Sequence, residues 1–231
     1  DKCYENVEWL WGYRENDRLG GMDPYSASKA GAEMAIQSSI KSFYPLKNTN
    51  VFISVARAGN VIGGGDWSNE RLIPDCIRSW SKNRNVYLRN PKSTRPWQNV
   101  LEALSGYILL AIKLQSNPKL HGEAFNFGPN NRHNYPVRSL LNEIKVIWPT
   151  IKWSIVKDKK KFKESNLLKL NCKKAKKKIN WYSLLTFKEN VRMTIEWYRA
   201  YYKMKKKINM KKFSENQINE FTKLIIERSK I

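Results

Sequence analysis

An α/β fold with a mostly parallel sheet is what this sequence predicts, on three observations. Apolar runs of strand length alternate with segments of helical periodicity along most of the chain. The run from Val51 to Arg57 is nearly continuous in apolar character, as in a parallel strand covered on both faces. A length of 231 residues with 41% hydrophobic and 12% aromatic side chains is enough to bury a core.

The elements follow in order. Residues 1–5 read as the end of a buried strand, and the stretch to Leu19 as a loop rich in Gly, Asn and aromatic residues. A helix is predicted from Pro24 to Phe43: Asp23 can cap it, Pro24 suits its first position, and Ala27, Ala30, Met34 and Ile36 supply an apolar side. After the strand at 51–57, glycines 63–65 break the chain before a helix from Ile73 to Ser81. A short strand at Val86–Leu88 precedes a helix from Leu101 to Leu114 with Leu104, Ile108 and Ala111 on one side. Ala124–Phe127 reads as a strand, and Pro136 opens a helix running through Trp148. Strands are expected at Lys152–Val156 and Leu167–Leu170. Phe187, Val191, Ile195, Tyr198 and Tyr202 recur at helical spacing, the lysine-rich stretch 203–212 reads as a polar linker, and 214–229 as a last helix.

Composition excludes several classes. No apolar run approaches the roughly 20 residues a membrane-spanning helix needs, so no membrane partner is expected. Cys3, Cys76 and Cys172 are odd in number and far apart, which argues against a disulfide scaffold or a clustered zinc site and fits a reducing cytoplasm. With His121 and His133 the only histidines, acid–base chemistry has to rest on Tyr, Lys, Asp or Glu. The formal net charge is +23 and unevenly spread: residues 151–231 hold 24 Lys+Arg against 7 Asp+Glu, residues 1–150 hold 19 against 13. Such a field attracts polyanions. The lysines fall between core-forming aromatics rather than in a nucleic-acid-reading motif, which favours solvent-facing decoration over a nucleic-acid partner.

Tyr25 and Lys29 stand four residues apart at the predicted helix start, on one helical face. An ammonium near a phenol favours phenolate, drawing a tyrosine down from its ordinary pKa of about 10, so that it can take a proton from a substrate hydroxyl. Taken alone the spacing is a weak signal. It does not stand alone: Asp1 to Asn6, Trp11 to Glu15 and Gly20 to Tyr25 with Lys29 resemble the extended short-chain dehydrogenase/reductase superfamily and, within it, the CDP-glucose 4,6-dehydratases. Arg57 to Trp67, Arg95-Pro96-Trp97-Gln98 and Phe125 to Pro129 are similar to later blocks of that family, in the same order, and the similarity extends from residue 1 to about 202.

The resemblance implies a partial Rossmann-type doubly wound parallel sheet plus a smaller mixed α/β substrate-binding domain. Residues 1–65 would complete a NAD-binding domain, 66–202 would mainly hold the nucleotide sugar, and 203–231 would form a basic linker and terminal helix. It also implies NAD as cofactor, a CDP-sugar as substrate and a homodimer built through the helix bearing Tyr25. In that chemistry Tyr25 takes the proton of the sugar 4-hydroxyl while hydride passes to NAD⁺, and Lys29 tunes Tyr25 and contacts the nicotinamide ribose. Lys2, where related dTDP-glucose dehydratases carry a glutamate, helps remove the C5 proton. Asp1 protonates the departing 6-hydroxyl, and hydride returns to C6. Asn60, Arg71, Arg95 and Asn126 are the candidate substrate contacts, Arg offering a planar fork for phosphate oxygens. No residue set points to a metal.

Departures from the family pattern shape the expectation further. The glycine-rich turn that holds the dinucleotide pyrophosphate does not occur in residues 1–231, nor does the Ser or Thr expected just before Asp1. The chain is therefore expected to be the C-terminal portion of a longer enzyme, binding NAD poorly by itself. Asn171 and Tyr182 depart from the pattern at positions of capping and packing. The alternatives are another nucleotide-sugar dehydratase or an epimerase of the same superfamily, and a basic nucleic-acid-binding module.

Overall fold

The computed structural model describes residues 1–130, 134–156, 167–203 and 208–229. His133 and residues 204–207 of the expected linker lie outside the described residues.

The first helix, α1 (Pro24–Phe43), starts and ends where the sequence predicts. Asp23 caps it, its carboxylate accepting from the Ser26 amide (3.0 Å) and the Ser26 hydroxyl (2.6 Å). The buried row differs from the expected apolar side: Ser26, Ala30, Glu33 and Ile40 face inward, whereas Ala27, Met34 and Ile36 are exposed. An ion pair decides this, because Glu33 turns toward a buried arginine in the next strand.

That strand, β1 (Val55–Ala58), pairs in parallel with β6 (Ala124–Phe127), Ala56 opposite Phe125 and Arg57 opposite Asn126. It is shorter than residues 51–57. Apart from Arg57 its side chains are only half-buried, so coverage on both faces is not what the structure has. Ahead of β1, the Ile53 amide donates to His121 Nδ1 (2.9 Å) rather than entering a ladder. Three further two-stranded pieces complete the strands. β2 (Val61–Ile62) runs parallel to β5 (Gln98–Asn99), β3 (Val86–Leu88) runs parallel to β8 (Trp153–Ile155), and β4 (Thr94–Arg95) pairs antiparallel with β7 (Tyr135–Pro136). Residues 1–5 form a turn and a single antiparallel bridge, Tyr4 to Leu19, instead of a strand end. Of 167–170 only Leu170 pairs, in a parallel bridge with Tyr13.

The largest core joins α2 (Leu72–Trp80), α4 (Val137–Ile147) and α6 (Phe187–Lys203). Ile77, Leu140, Leu141, Ile144, Val191, Ile195 and Tyr198 are sealed there, in line with the periodicities. Burying each such side chain contributes about 1.5–3 kcal/mol before conformational entropy is subtracted. A second core stacks Phe127 edge-on against Trp181 and packs it with Leu110 and Ile179. It includes α5 (Lys173–Ile179), a short helix closed by Asn180 in the left-handed region at φ 57°.

In α3 (Val100–Ser116) the expected apolar side is again turned outward: Leu104, Ile108 and Ala111 are exposed, while Glu102, Ala103, Gly106 and Leu110 are buried. The reason is close approach. A Cβ at Gly106 would lie 2.3 Å from Phe127 Cδ1, so only the glycine row lets this helix sit against β6. Glu102, in the first turn of α3, accepts from the Leu184 and Leu185 amides and the Ser183 hydroxyl, tying down the entry to α6. The last helix, α7 (Met210–Arg228), begins earlier than expected, inside the lysine-rich stretch, with Asn209 as its cap.

Candidate active site

A cleft of about 1170 Å³ lies between the start of α1, the C-terminal end of β1 and the entry to α2. Open α/β sheets bind ligands beyond the carboxyl ends of their strands, and this cleft has that position. Tyr25 and Lys29 line one wall, on successive turns of the Asp23-capped helix. Tyr25 is 54% exposed, and Lys29 Nζ lies 5.7 Å from its ring centroid, so the helical spacing does bring the two groups together.

Asp1 and Lys2 border the same cleft. The Asp1 backbone nitrogen donates to the Ala58 carbonyl (2.8 Å), docking this segment on the end of β1. Asp1 Oδ2 is buried and has no hydrogen-bond partner among the described residues. A buried carboxyl oxygen without a partner is costly, and it is suited to a group that meets a substrate hydroxyl.

Asn60, Arg71 and Arg95 also line the cleft. Asn60 follows β1 and its carbonyl accepts from the Gln98 amide (3.0 Å). Arg71 is the exposed residue just before α2. Glu70 beside it adopts φ 61°, an uncommon conformation for a residue other than glycine or asparagine. Arg95 lies in β4, its Nη1 donating to the Thr94 carbonyl (2.8 Å). Arg57, Arg71, Arg89, Arg95, Lys2 and Lys29 line the cleft together with Asp1, Glu33, Asp66, Glu70 and Asp75, and a guanidinium offers a planar fork that suits phosphate oxygens.

Asn126 corrects the expectation. It is fully buried beneath the cleft and its polar atoms are used internally: Oδ1 accepts from the Tyr4 hydroxyl (2.7 Å), and Nδ2 donates to the carbonyls of Tyr13 (2.9 Å) and Asn171 (3.3 Å). Its inward position on β6 makes it a structural tether rather than a ligand contact.

Other ionisable groups at the cleft are poor candidates for catalysis. Burial pushes the Cys3 thiol up to about 11 and the Cys76 thiol up to about 12, which disfavours thiolate at neutral pH. Tyr107 and Tyr198 also line the cleft, and burial raises both phenols. His121 is held between the Ile53 amide and the Tyr44 carbonyl, away from the cleft lining. Among the described residues no group of three or more His, Cys, Asp or Glu side chains could hold a metal, and no helix is long and apolar enough to cross a membrane.

Sequence reasoning missed the polar layer that Arg57 and Glu33 bring to the lining of the cleft. Arg57 donates through Nε and Nη2 to the two carboxylate oxygens of Glu33 (2.7 and 2.5 Å), and through Nη1 to the Tyr4 hydroxyl (2.7 Å) and the Glu15 carbonyl (3.0 Å). The available signal was a charged residue inside an apolar strand run, with a glutamate one helical turn beyond Lys29.

A family model described as GDP-mannose 4,6 dehydratase matches residues 4–194. A CDP-glucose 4,6-dehydratase of Salmonella typhimurium is 41% identical over 204 residues, covering 87% of this chain and 57% of that protein. The fold resembles that of a dTDP-glucose 4,6-dehydratase of Bacillus anthracis in complex with NAD (TM-score 0.66, 21% identity, 86% of this chain and 59% of that one). It also resembles the epimerase Mth375 of Methanothermobacter thermautotrophicus (TM-score 0.73, 17% identity, 88% and 58%). The chain thus spans less than two thirds of the length of each of these relatives.

Proposed function

The chain belongs to the GDP-mannose 4,6-dehydratase family, within the extended short-chain dehydrogenase/reductases, and from that membership we propose that it carries the sugar-handling and acid–base part of a CDP-glucose 4,6-dehydratase. The observation that carries the reading is the meeting in one cleft of a Tyr/Lys pair, a carboxyl with a free buried oxygen, a second lysine and two arginines. The 41% identity to a CDP-glucose 4,6-dehydratase supports cytidine as the nucleotide.

The residues present fit one end of NAD: Tyr25 and Lys29 would hold the nicotinamide ribose, while residues 1–231 contain no glycine-rich turn for the pyrophosphate. NAD, when bound, supplies the hydride acceptor and the later hydride donor. Tyr25 takes the proton of the sugar 4-hydroxyl, with Lys29 Nζ held 5.7 Å from its ring centroid. Once C4 is a ketone, the C5 proton is acidic; Lys2 receives it and returns it to C5 when hydride is delivered to C6. Asp1 in its protonated form delivers a proton to the 6-oxygen, which leaves as water. Arg71 and Arg95 hold the diphosphate, with Asn60 as a further polar contact. Epimerisation needs no proton donor for a 6-hydroxyl, and Asp1 favours dehydration for that reason. The exposed Met34, Ile36 and Phe43 of α1 support a homodimer, and three free thiols are compatible with a cytoplasmic enzyme.

The test joins the residues of the Salmonella relative that precede its match to Asp1 of this chain, then offers CDP-, dTDP-, GDP- and UDP-glucose to the folded product. Formation of a 4-keto-6-deoxy sugar, read by its absorbance in alkali, is expected from CDP-glucose. A folded, NAD-loaded protein that leaves CDP-glucose unchanged, or returns a C4 epimer, would overturn the reading.

A further inference from the structure

Glu33 and Arg57 are 7% and 6% exposed and form a two-pronged ion pair in the lining of the cleft. Glu33 follows Lys29 by four residues and Tyr25 by eight, so all three lie along one row of α1. Arg57 lies in β1, and the free edge of its guanidinium reaches the Tyr4 hydroxyl and the Glu15 carbonyl, with its carbon centre 4.9 Å from the Tyr4 ring centroid. Tyr4 is two residues beyond Lys2, and the neighbouring Ala58 carbonyl receives the Asp1 nitrogen. The Tyr4 hydroxyl passes on to Asn126 in β6. One guanidinium therefore touches both halves of the proposed acid–base machinery, the helix with Tyr25 and Lys29 and the segment with Asp1 and Lys2.

A buried ion pair contributes little net stability compared with well-packed apolar side chains, because desolvating two charges is expensive. What a fork-to-carboxylate pair does supply is direction: two parallel hydrogen bonds fix both separation and rotation. A shift of about 1 Å between reacting groups can cost about a hundredfold in rate.

We propose that Glu33 and Arg57 are positioning residues: their pairing sets the roll of α1 and the seating of residues 1–4 together, so that Tyr25 and Lys29 meet Asp1 and Lys2 across one sugar. This rests on the function proposed above. Neither side chain is asked to touch substrate.

In the active joined enzyme, Arg57→Lys keeps the charge and loses the fork, and Glu33→Leu with Arg57→Met removes both charges together so that none is left buried and unpaired. Each is expected to lower kcat about 10- to 100-fold with KM for CDP-glucose within about threefold, and to displace the pH profile of kcat, in protein whose melting temperature stays close to the parent. Unchanged kcat and pH profile in either folded variant would overturn the proposal, as would a lower melting temperature with full kcat. If the double variant does not fold, Arg57→Lys decides alone. A second measurement keeps this separate from the activity reading: fluorotyrosine placed at position 25 in residues 1–231 should give one sharp ¹⁹F line, broadened or split by Arg57→Lys. An inactive joined enzyme with that ¹⁹F response would refute the dehydratase reading and leave the positioning intact. An unaltered line would refute the positioning.

Discussion

Two tyrosines near the cleft show how placement, not residue type, selects a base. Tyr4 is sealed, stacked on Tyr13 and bonded to Arg57 and Asn126, and burial raises its phenol well above the ordinary range. Tyr25 is half-exposed on the first turn of a capped helix, its ring open to the cleft and beside an ammonium. Of the two, only Tyr25 lines the cleft with its ring exposed, as the proposed base requires. Phenylalanine at position 25 removes the exchanging group and little volume, so Tyr25→Phe in the joined enzyme is expected to lower kcat by about 10² to 10⁴ with KM for CDP-glucose nearly unchanged. Steady-state kinetics of product formation checks this, and retention of more than about a tenth of kcat would remove Tyr25 from its role.

Among the elements, α6 and α7 are held together by a carboxylate whose ionisation should be measurable. Glu189, in the first turn of α6, accepts from both Nη1 (2.9 Å) and Nη2 (2.6 Å) of Arg228 in the last turn of α7, and from the Thr186 amide and hydroxyl (both 2.8 Å). The Arg228 hydrogen bonds hold its carboxyl down to about 2, against about 4.3 in an unfolded chain. A lowered folded pKa means the stabilisation is complete above the unfolded value and is lost as the carboxylate is protonated, here between about pH 4.3 and 2. Amide exchange in α7 is therefore expected to accelerate over that window. Glu189→Gln should already exchange faster at neutral pH and lose the dependence. The same window in both proteins would show that another group is responsible.

Across the whole molecule the charge of +23 has no matching groove-reading motif, and the lysines of α5 surround only two buried positions, Ala175 and Ile179. Some are occupied locally, Lys174 pairing with Glu123. Binding to DNA is accordingly expected to be non-specific and to release counterions, with retention on a DNA column lost between about 50 and 200 mM salt and no preference among sequences. Retention that persists at higher salt would revive a nucleic-acid role. The same positive field would raise the local concentration of the proposed anionic substrate at the cleft, whose lining includes Arg71 and Arg95.

Much of the architecture was legible because it is local. Asp23-Pro24 begins a helix wherever the chain is placed, and the heptad-like row in α6 could bury only one face. Tyr25, Lys29, Asp1, Arg71 and Arg95 are picked out by their motifs, and the structure gathers them in the lining of one cleft. Which face of α1 and α3 turns inward was not. Apolar spacing favours Met34 and Ile108, yet both are exposed, because a buried Arg57 draws Glu33 inward and Phe127 admits only the side of α3 without a Cβ at Gly106. Asn126 was misassigned for the same reason: a polar residue in a strand reads alike whether it faces a ligand or a neighbouring tyrosine. Local periodicity and capping placed the helices, while the strands expected at 1–5, 51–57 and 167–170 are shortened or reduced to single bridges by the pairing each finds. Long-range pairing and close packing, set between residues dozens of positions apart, decided which side chains the cleft receives.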